Sequence, residues 1–251
     1  MVKESPFTEP MANPPSKQRK TAKKSTSDAG RSHRPGPSRS TRPPRKRGRY
    51  HHGDLPRALV KAALELISKE GGGNSQSFTL REAARVVGVT HGAAYRHFKD
   101  KTALLAVVAE EGFRELNEQM ETARTNARAS AGPREVRARI QAIGGAYVRF
   151  ALERQSHFRV MFGPNLDESG RFPALEAEVA RSLRVLLEEV EPAAIDGLMA
   201  PGKALDHALA LWTMTHGYAS LVLMRKIQVK PAVAGAYFAK LFDSLLDGVV
   251  K

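Results

Sequence analysis

The chain contains no cysteine. That excludes a disulfide framework, thiolate metal sites, iron–sulfur clusters and a cysteine nucleophile. No apolar run reaches the roughly eighteen residues that a transmembrane helix requires, so no transmembrane helix and no membrane-embedded partner is expected. Aromatics are sparse, at 6%, with a single Trp. The first fifty residues lack the apolar segment of a signal peptide and hold only three acidic residues, Glu4, Glu9 and Asp28. Catalytic constellations are missing too. Gly71-Gly72-Gly73 is not followed by the Lys-Ser/Thr of a phosphate-cradling loop, and no Glu-x-x-His pair supports a di-iron bundle. No enzyme activity, cofactor or metal site is therefore expected. His51-His52 reads as solvated or close to phosphate more readily than as a metal pair.

What is present is length, apolar content and positive charge. The 251 residues are 41% hydrophobic, enough for a sizeable core. Lys and Arg number 40 against 26 Asp and Glu, a net charge of +14. Residues 1–50 hold 14 of the basic residues and 8 of the 15 Pro, so that segment carries +11 and the remainder only +3. Such a composition cannot bury enough apolar surface to offset its conformational entropy, and residues 1–49 read as a disordered basic arm. Its charge suits a polyanion: nucleic acid first, an anionic membrane second, with a solubilising tail as the plainer alternative.

From Asp54 onward the pattern is helical. Asp54 is placed to cap a turn containing Pro56, and Leu59, Ala62, Ala63, Leu66 and Ile67 then share one face. Gly71–Gly73 ends that helix, and a polar loop follows to Phe78. Thr79-Leu80-Arg81-Glu82 has the form of a capping box opening a helix that ends near Val87, with Gly88 suited to a left-handed C-terminal position. Thr90 opens a third helix over 91–98, and Asp100 a fourth from about Lys101 to Gln119. A helix of about eight residues, a tight Gly-containing turn and a second short helix form a helix-turn-helix, whose second helix reads the major groove. In His91-Gly92-Ala93-Ala94-Tyr95-Arg96-His97-Phe98, the small residues keep one side low. The polar residues supply donors, and Phe98 is the expected core anchor.

The stretch 54–119 resembles the DNA-binding domain of the TetR family of bacterial transcription regulators. The matching residues are Glu70-Gly71, Thr79-Leu80-Arg81-Glu82, Gly88-Val89-Thr90-His91-Gly92-Ala93, Tyr95, His97-Phe98, Lys101 and Leu104-Leu105, with the lead-in Tyr50–Leu55. Ala83, Val87 and Ala94 depart from the usual Ile, Ala and larger apolar residue, and the 71–78 loop is longer than typical. The resemblance implies that Thr79, Arg81, Tyr95, His97 and Lys101 hold phosphates. Thr90, His91, Gly92 and Arg96 are candidates for base edges, with phosphate as the alternative for Arg96. In the arm, Arg45, Lys46, Arg47 and Arg49 are candidates for the adjoining minor groove.

Residues 120–251 read as further helices over 134–153, 158–162, 174–191, 203–227 and 231–250. No strand alternation appears, so the expected fold is all-α: an N-terminal DNA-binding domain over 50–119 and a helical effector-binding and dimerisation domain over 120–251. Phe158–Phe162 and Trp212–Gly217 resemble the TetR-like C-terminal domain named for its Trp, His and Gly. Tyr147, Phe150, Met161, Phe162, Trp212 and His216 are the candidate effector pocket, against the alternative that they are simply core. Gly217 in mid-helix suggests a close helix approach, in the core or at a dimer seam. The expected protein is a cytoplasmic, nucleoid-associated bacterial repressor. It acts as a homodimer, bound to a palindromic DNA operator and released by a lipophilic small molecule. The alternative is an architectural DNA-binding protein without an effector.

Overall fold

The computed structural model describes residues 54–69, 77–127, 132–164, 166 and 170–251. Arg45, Lys46, Arg47, Arg49 and the His51-His52 pair lie outside them, as do Glu70 and Gly71–Gly73. Among the described residues there are nine α-helices and no strand. A single antiparallel bridge, Met199 to Val250, ties the chain end to the loop before the eighth helix.

Three helices form the N-terminal unit: α1 (Leu55–Lys69), α2 (Leu80–Val87) and α3 (His91–Tyr95). The α1 face that packs inward holds Leu59, Val60, Ala62, Ala63 and Ile67. The α2 capping box closes in both directions. The Glu82 N–H donates to Thr79 Oγ1 at 3.2 Å, and the Thr79 N–H donates to Glu82 Oε2 at 2.7 Å. The Thr79 N–H above all, and the Thr79 hydroxyl, which donates to the same Oε2 at 2.9 Å, hold the Glu82 carboxyl below its ordinary range. At the other end Gly88 adopts φ 81°, where a side chain would be strained. The Val89 N–H reaches the Ala84 carbonyl and the Gly88 N–H that of Arg85, which completes a Schellman turn.

The helix expected over 91–98 stops at Tyr95. The N–H groups of His97 and Phe98 both converge on the Ala94 carbonyl, so the backbone tightens into one closing turn. Phe98 is buried as expected.

The largest difference from the sequence reading concerns α4 (Lys101–Asn126), which runs well past the expected end at Gln119. At 1.5 Å per residue it is about 39 Å long. Its apolar positions continue through Leu116 and Met120, and Asn117 does not interrupt them because its buried amide is satisfied. Asn117 Nδ2 donates to the Glu178 carbonyl and side chain at 2.9 and 3.0 Å, and Asn117 Oδ1 accepts from Ser182 Oγ at 2.7 Å. The expected boundary at 119–120 therefore falls inside a helix. α4 packs on α1 in the first unit and on three helices of the second: α5 (Pro133–Glu153), α6 (Gln155–Met161) and α7 (Pro173–Ile195). Where α6 crosses α4, a Cβ on Gly112 would lie 2.6 Å from Met161 Sδ, so a larger residue there would force the Met161 side chain to move. α8 (Ala204–Leu223) and α9 (Pro231–Leu246) complete the bundle against α5 and, for α8, α7.

Candidate DNA interface and effector cleft

On the recognition unit the apolar residues turn inward and the polar ones outward. Ala94 and Phe98 are buried, while Thr79, Arg81, Thr90, His91, Gly92, Tyr95, Arg96 and His97 are exposed and Lys101 is half-buried. Tyr95 is 52% exposed, unusual for so large a ring. Thr90 serves as the N-cap of α3, with its Oγ1 accepting from the Ala93 N–H at 3.3 Å. Lys101 sits over the Phe78 ring at 5.7 Å.

Both acidic side chains of this unit are engaged in caps. Glu82 closes the α2 box, and Asp100 Oδ1 accepts from the Ala103 N–H at 2.8 Å while Oδ2 takes Arg171 at 2.7 Å. Among the described residues Arg81, Arg96 and Lys99 enter no ion pair. The exposed face of α2 and α3 is thus positive, with a low Gly92 side, which suits a polyanion with a groove.

In the second unit a cleft of about 780 Å³ opens between α4, α6, α7 and α8, bordered by Phe113, Met161, Phe162, Glu176, Trp212 and His216 among others. A narrower cavity behind it, of about 20 Å³, is lined by Tyr147, Ile143, Leu186, Thr215 and Phe242 and shares Trp212. It has room for about one water. Five of the six residues expected at the pocket border these two spaces. Phe150 is the correction: it is fully buried and lines neither. A lone aromatic on an apolar face carries no mark distinguishing core from cleft.

The polar side chains here are linked. Burial pushes the Tyr147 hydroxyl well above its ordinary pKa, and the Trp212 indole, which can only donate, acts on it in the opposite sense. The Tyr147 hydroxyl lies 2.8 Å from His216 Nδ1, and Ser220 Oγ lies 3.2 Å from Nε2. Tyr147 and Ser220 therefore engage both ring nitrogens of His216. The Phe158 ring stacks on His216 at 5.5 Å and the Phe162 ring meets it edge-on at 4.4 Å. Burial holds the His216 pKa below its ordinary value, so the imidazole is neutral at pH 7.

Sequence reasoning missed Phe113, Leu175, Glu176, Val179 and Ala180 at the cleft. Phe113 was assigned to the DNA-binding half because α4 was ended too early. Glu176, Val179 and Ala180 have the i, i+3, i+4 spacing of one helix face, and that spacing was the available signal.

Residues 59–108 match the family model for bacterial regulatory proteins of the tetR family, and residues 140–245 match the model for the tetracyclin repressor-like C-terminal domain. The chain belongs to the TetR family. A Rhodococcus sp. RHA1 protein of unknown function shares 31% identity over 82% of this chain and 100% of its own, with a TM-score of 0.67. A bacterial regulatory protein in the tetR family from Rhodococcus RHA1 shares 20% identity over 78% of this chain and 98% of its own, with a TM-score of 0.59. The ketosteroid transcriptional regulator KstR2 of Mycobacterium tuberculosis shares 15% over 80% and 97%, with a TM-score of 0.58. Membership of the TetR family makes the protein a DNA-binding transcription regulator and not an enzyme. Among the described residues no helix is long and apolar enough to cross a membrane, and no cluster of His, Asp or Glu is arranged to hold a metal ion.

Proposed function

We propose that this TetR family protein is a homodimeric repressor, released from a palindromic operator by a lipophilic small molecule bound in the cleft. The observation that supports ligand response is the course of α4. Its first turn is capped by Asp100, which also holds Arg171 ahead of α7, and its middle brings Phe113 to the cleft. A ligand that repositions the cleft wall acts on the same helix that abuts the recognition unit. It favours whichever state it binds better, and derepression follows when that state sets the recognition helices at the wrong separation.

Thr79, Arg81, Tyr95, His97 and Lys101 hold phosphates in this reading, and Thr90, His91, Gly92 and Arg96 face base edges. The arm residues Arg45, Lys46, Arg47 and Arg49 enter the adjoining minor groove. The second half is of the Trp-His-Gly kind, on Trp212, His216 and Gly217. The dimer forms through α8 and α9, which expose Leu205, Leu209 and Leu221, with Met224 just beyond α8, and Val233 and Leu241. Recognition helices then stand about 34–36 Å apart, or a multiple of that. The repressor works in the bacterial cytoplasm, at the nucleoid.

Selection of bound fragments from a genomic library supplies the operator, and anisotropy then measures binding. Tyr95→Phe and Lys101→Ala weaken all sequences about equally, whereas loss of a base-reading side chain costs about 1–3 kcal/mol at one operator position. Light scattering that finds a monomer with full operator affinity overturns the dimer. An architectural protein without an effector would show no thermal shift across a panel of lipophilic compounds.

A further inference from the structure

We infer that the molecule recognised in the cleft is a lipophilic cation, an inference that rests on reading this cleft as the effector site. Among the described residues its border carries aromatic faces and edges from Phe113, Phe162, Trp212 and His216, and no Lys or Arg. Phe113 and Phe162 already meet edge to face at 5.3 Å, which leaves their remaining surfaces to the cleft. Among the described residues the one carboxylate on the border is Glu176, in the first turn of α7. Its Oε1 accepts the Gly170 N–H at 2.5 Å, which holds the side chain in place. Among the described residues no cation neutralises it.

Three arginines on or just ahead of the adjoining helices are already committed, and Arg159 of α6 and Arg184 of α7 do not border the cleft. Arg114 pairs with Glu110 and Glu178, Arg181 with Glu121 and Glu178, and Arg171 with Asp100. An anionic head group entering the cleft would meet Glu176 and find no counter-charge. A cation with an apolar body would find ring faces, whose quadrupole attracts positive charge, and one fixed carboxylate. His216 does not oppose it, because both ring nitrogens are bonded within the chain and the ring is neutral at pH 7. The volume of about 780 Å³ lies within the range of sites that take drug-sized molecules.

Three probes of equal chain length and different head charge test this on the full chain: decyltrimethylammonium, decanol and decanoate, all below their micelle concentrations. Trp212 is the only Trp and borders the cleft, so its fluorescence reports occupancy. The expected order of affinity is ammonium, alcohol, carboxylate, with at least tenfold between the ends. Glu176→Gln, on an exposed residue whose amide oxygen can still accept the Gly170 N–H, should narrow that interval at least threefold and leave decanol unchanged. Glu176→Lys should bring decanoate to the front. Decanoate binding as tightly as the ammonium probe in the wild type, or an interval unchanged in Glu176→Gln, overturns the inference. Operator release is measured in parallel. Ammonium-selective binding that leaves the protein on DNA removes the effector reading while the charge preference stands, and an unperturbed Trp212 with all three probes overturns both.

Discussion

His216 has both ring nitrogens engaged, by Tyr147 and Ser220, while Phe158 and Phe162 close over its faces and edge. Removal from water disfavours the imidazolium, so the folded pKa falls below the ordinary value of 6.5. Between those two values the unfolded chain binds a proton that the folded chain refuses. Stability therefore rises with pH across that interval, is complete above about 6.5, and declines as the solution is acidified from pH 7 toward pH 5. His157 acts in the same direction, with burial as the main cause and Glu115 opposing it. Glu111 and Glu189, whose carboxyls burial raises, act in the opposite direction from their lower starting value of 4.5. The expected outcome is that the melting temperature falls from pH 7 to pH 5, and falls less steeply in His216→Gln, even though the variant is less stable throughout. Parallel curves for wild type and variant would show that His216 titrates alike in folded and unfolded chains.

Among the elements, helix starts were more legible in the sequence than helix ends. Thr79, Thr90 and Asp100 each announce a cap, and each accepts the expected backbone N–H three residues on. Gly88 likewise marks the end of α2 because only a left-handed residue can close that turn. The end of α4 carried no such signal. Asn117 and Glu118 look like a polar break, and only the Asn117 bonds to α7, 61 residues away in the chain, show why the helix continues. For the same reason Phe113 was not legible as a cleft residue, whereas Trp212 and His216, one turn apart on α8, were. Glycines divide by a criterion that sequence lacks, namely what a Cβ would meet. At Gly144 it would lie 3.1 to 3.3 Å from the buried Phe242 and Phe238 rings, so Gly144→Ala should push on rings with little room to give and lower the stability by about 1–3 kcal/mol, read as a lower melting temperature. At Gly92 it would meet nothing within 4 Å. Gly92→Ala should therefore raise α3 stability by up to about 1 kcal/mol. It should nevertheless lose operator affinity, because in the proposed reading the added methyl faces the groove. A variant with raised melting temperature and undiminished affinity would mean that the α3 backbone does not approach the bases.

For the whole molecule, one helix spans both halves of the subunit, and the surface left over by a single chain points to a second copy. Met224 is 61% exposed at the end of α8, and Leu205, Leu209 and Leu221 lie within the same half-turn of its circumference, with Val233 and Leu241 on α9. An apolar face of this kind on an ordered helix is uncommon unless something covers it. Gly217 lies in the same sector of α8. The sequence left open whether this glycine serves the core or a seam between subunits. Within the subunit a Cβ there would meet nothing within 4 Å, so no internal packing requires glycine at a helix-interior position that costs about 1 kcal/mol relative to Ala. The close partner, on this argument, is α8 or α9 of a second subunit. Gly217→Leu should then keep its helical signal and the fold of the individual subunit while light scattering reports a shift from dimer to monomer. Operator affinity should fall steeply with it, because two half-sites are no longer bound as one unit and the second contact loses its effective concentration. Gly217→Ala, with a smaller intrusion, should weaken the dimer less and raise helix propensity. If Gly217→Leu remains a dimer at micromolar concentration with wild-type affinity, the seam lies elsewhere and the exposed leucines of α8 cover some other surface.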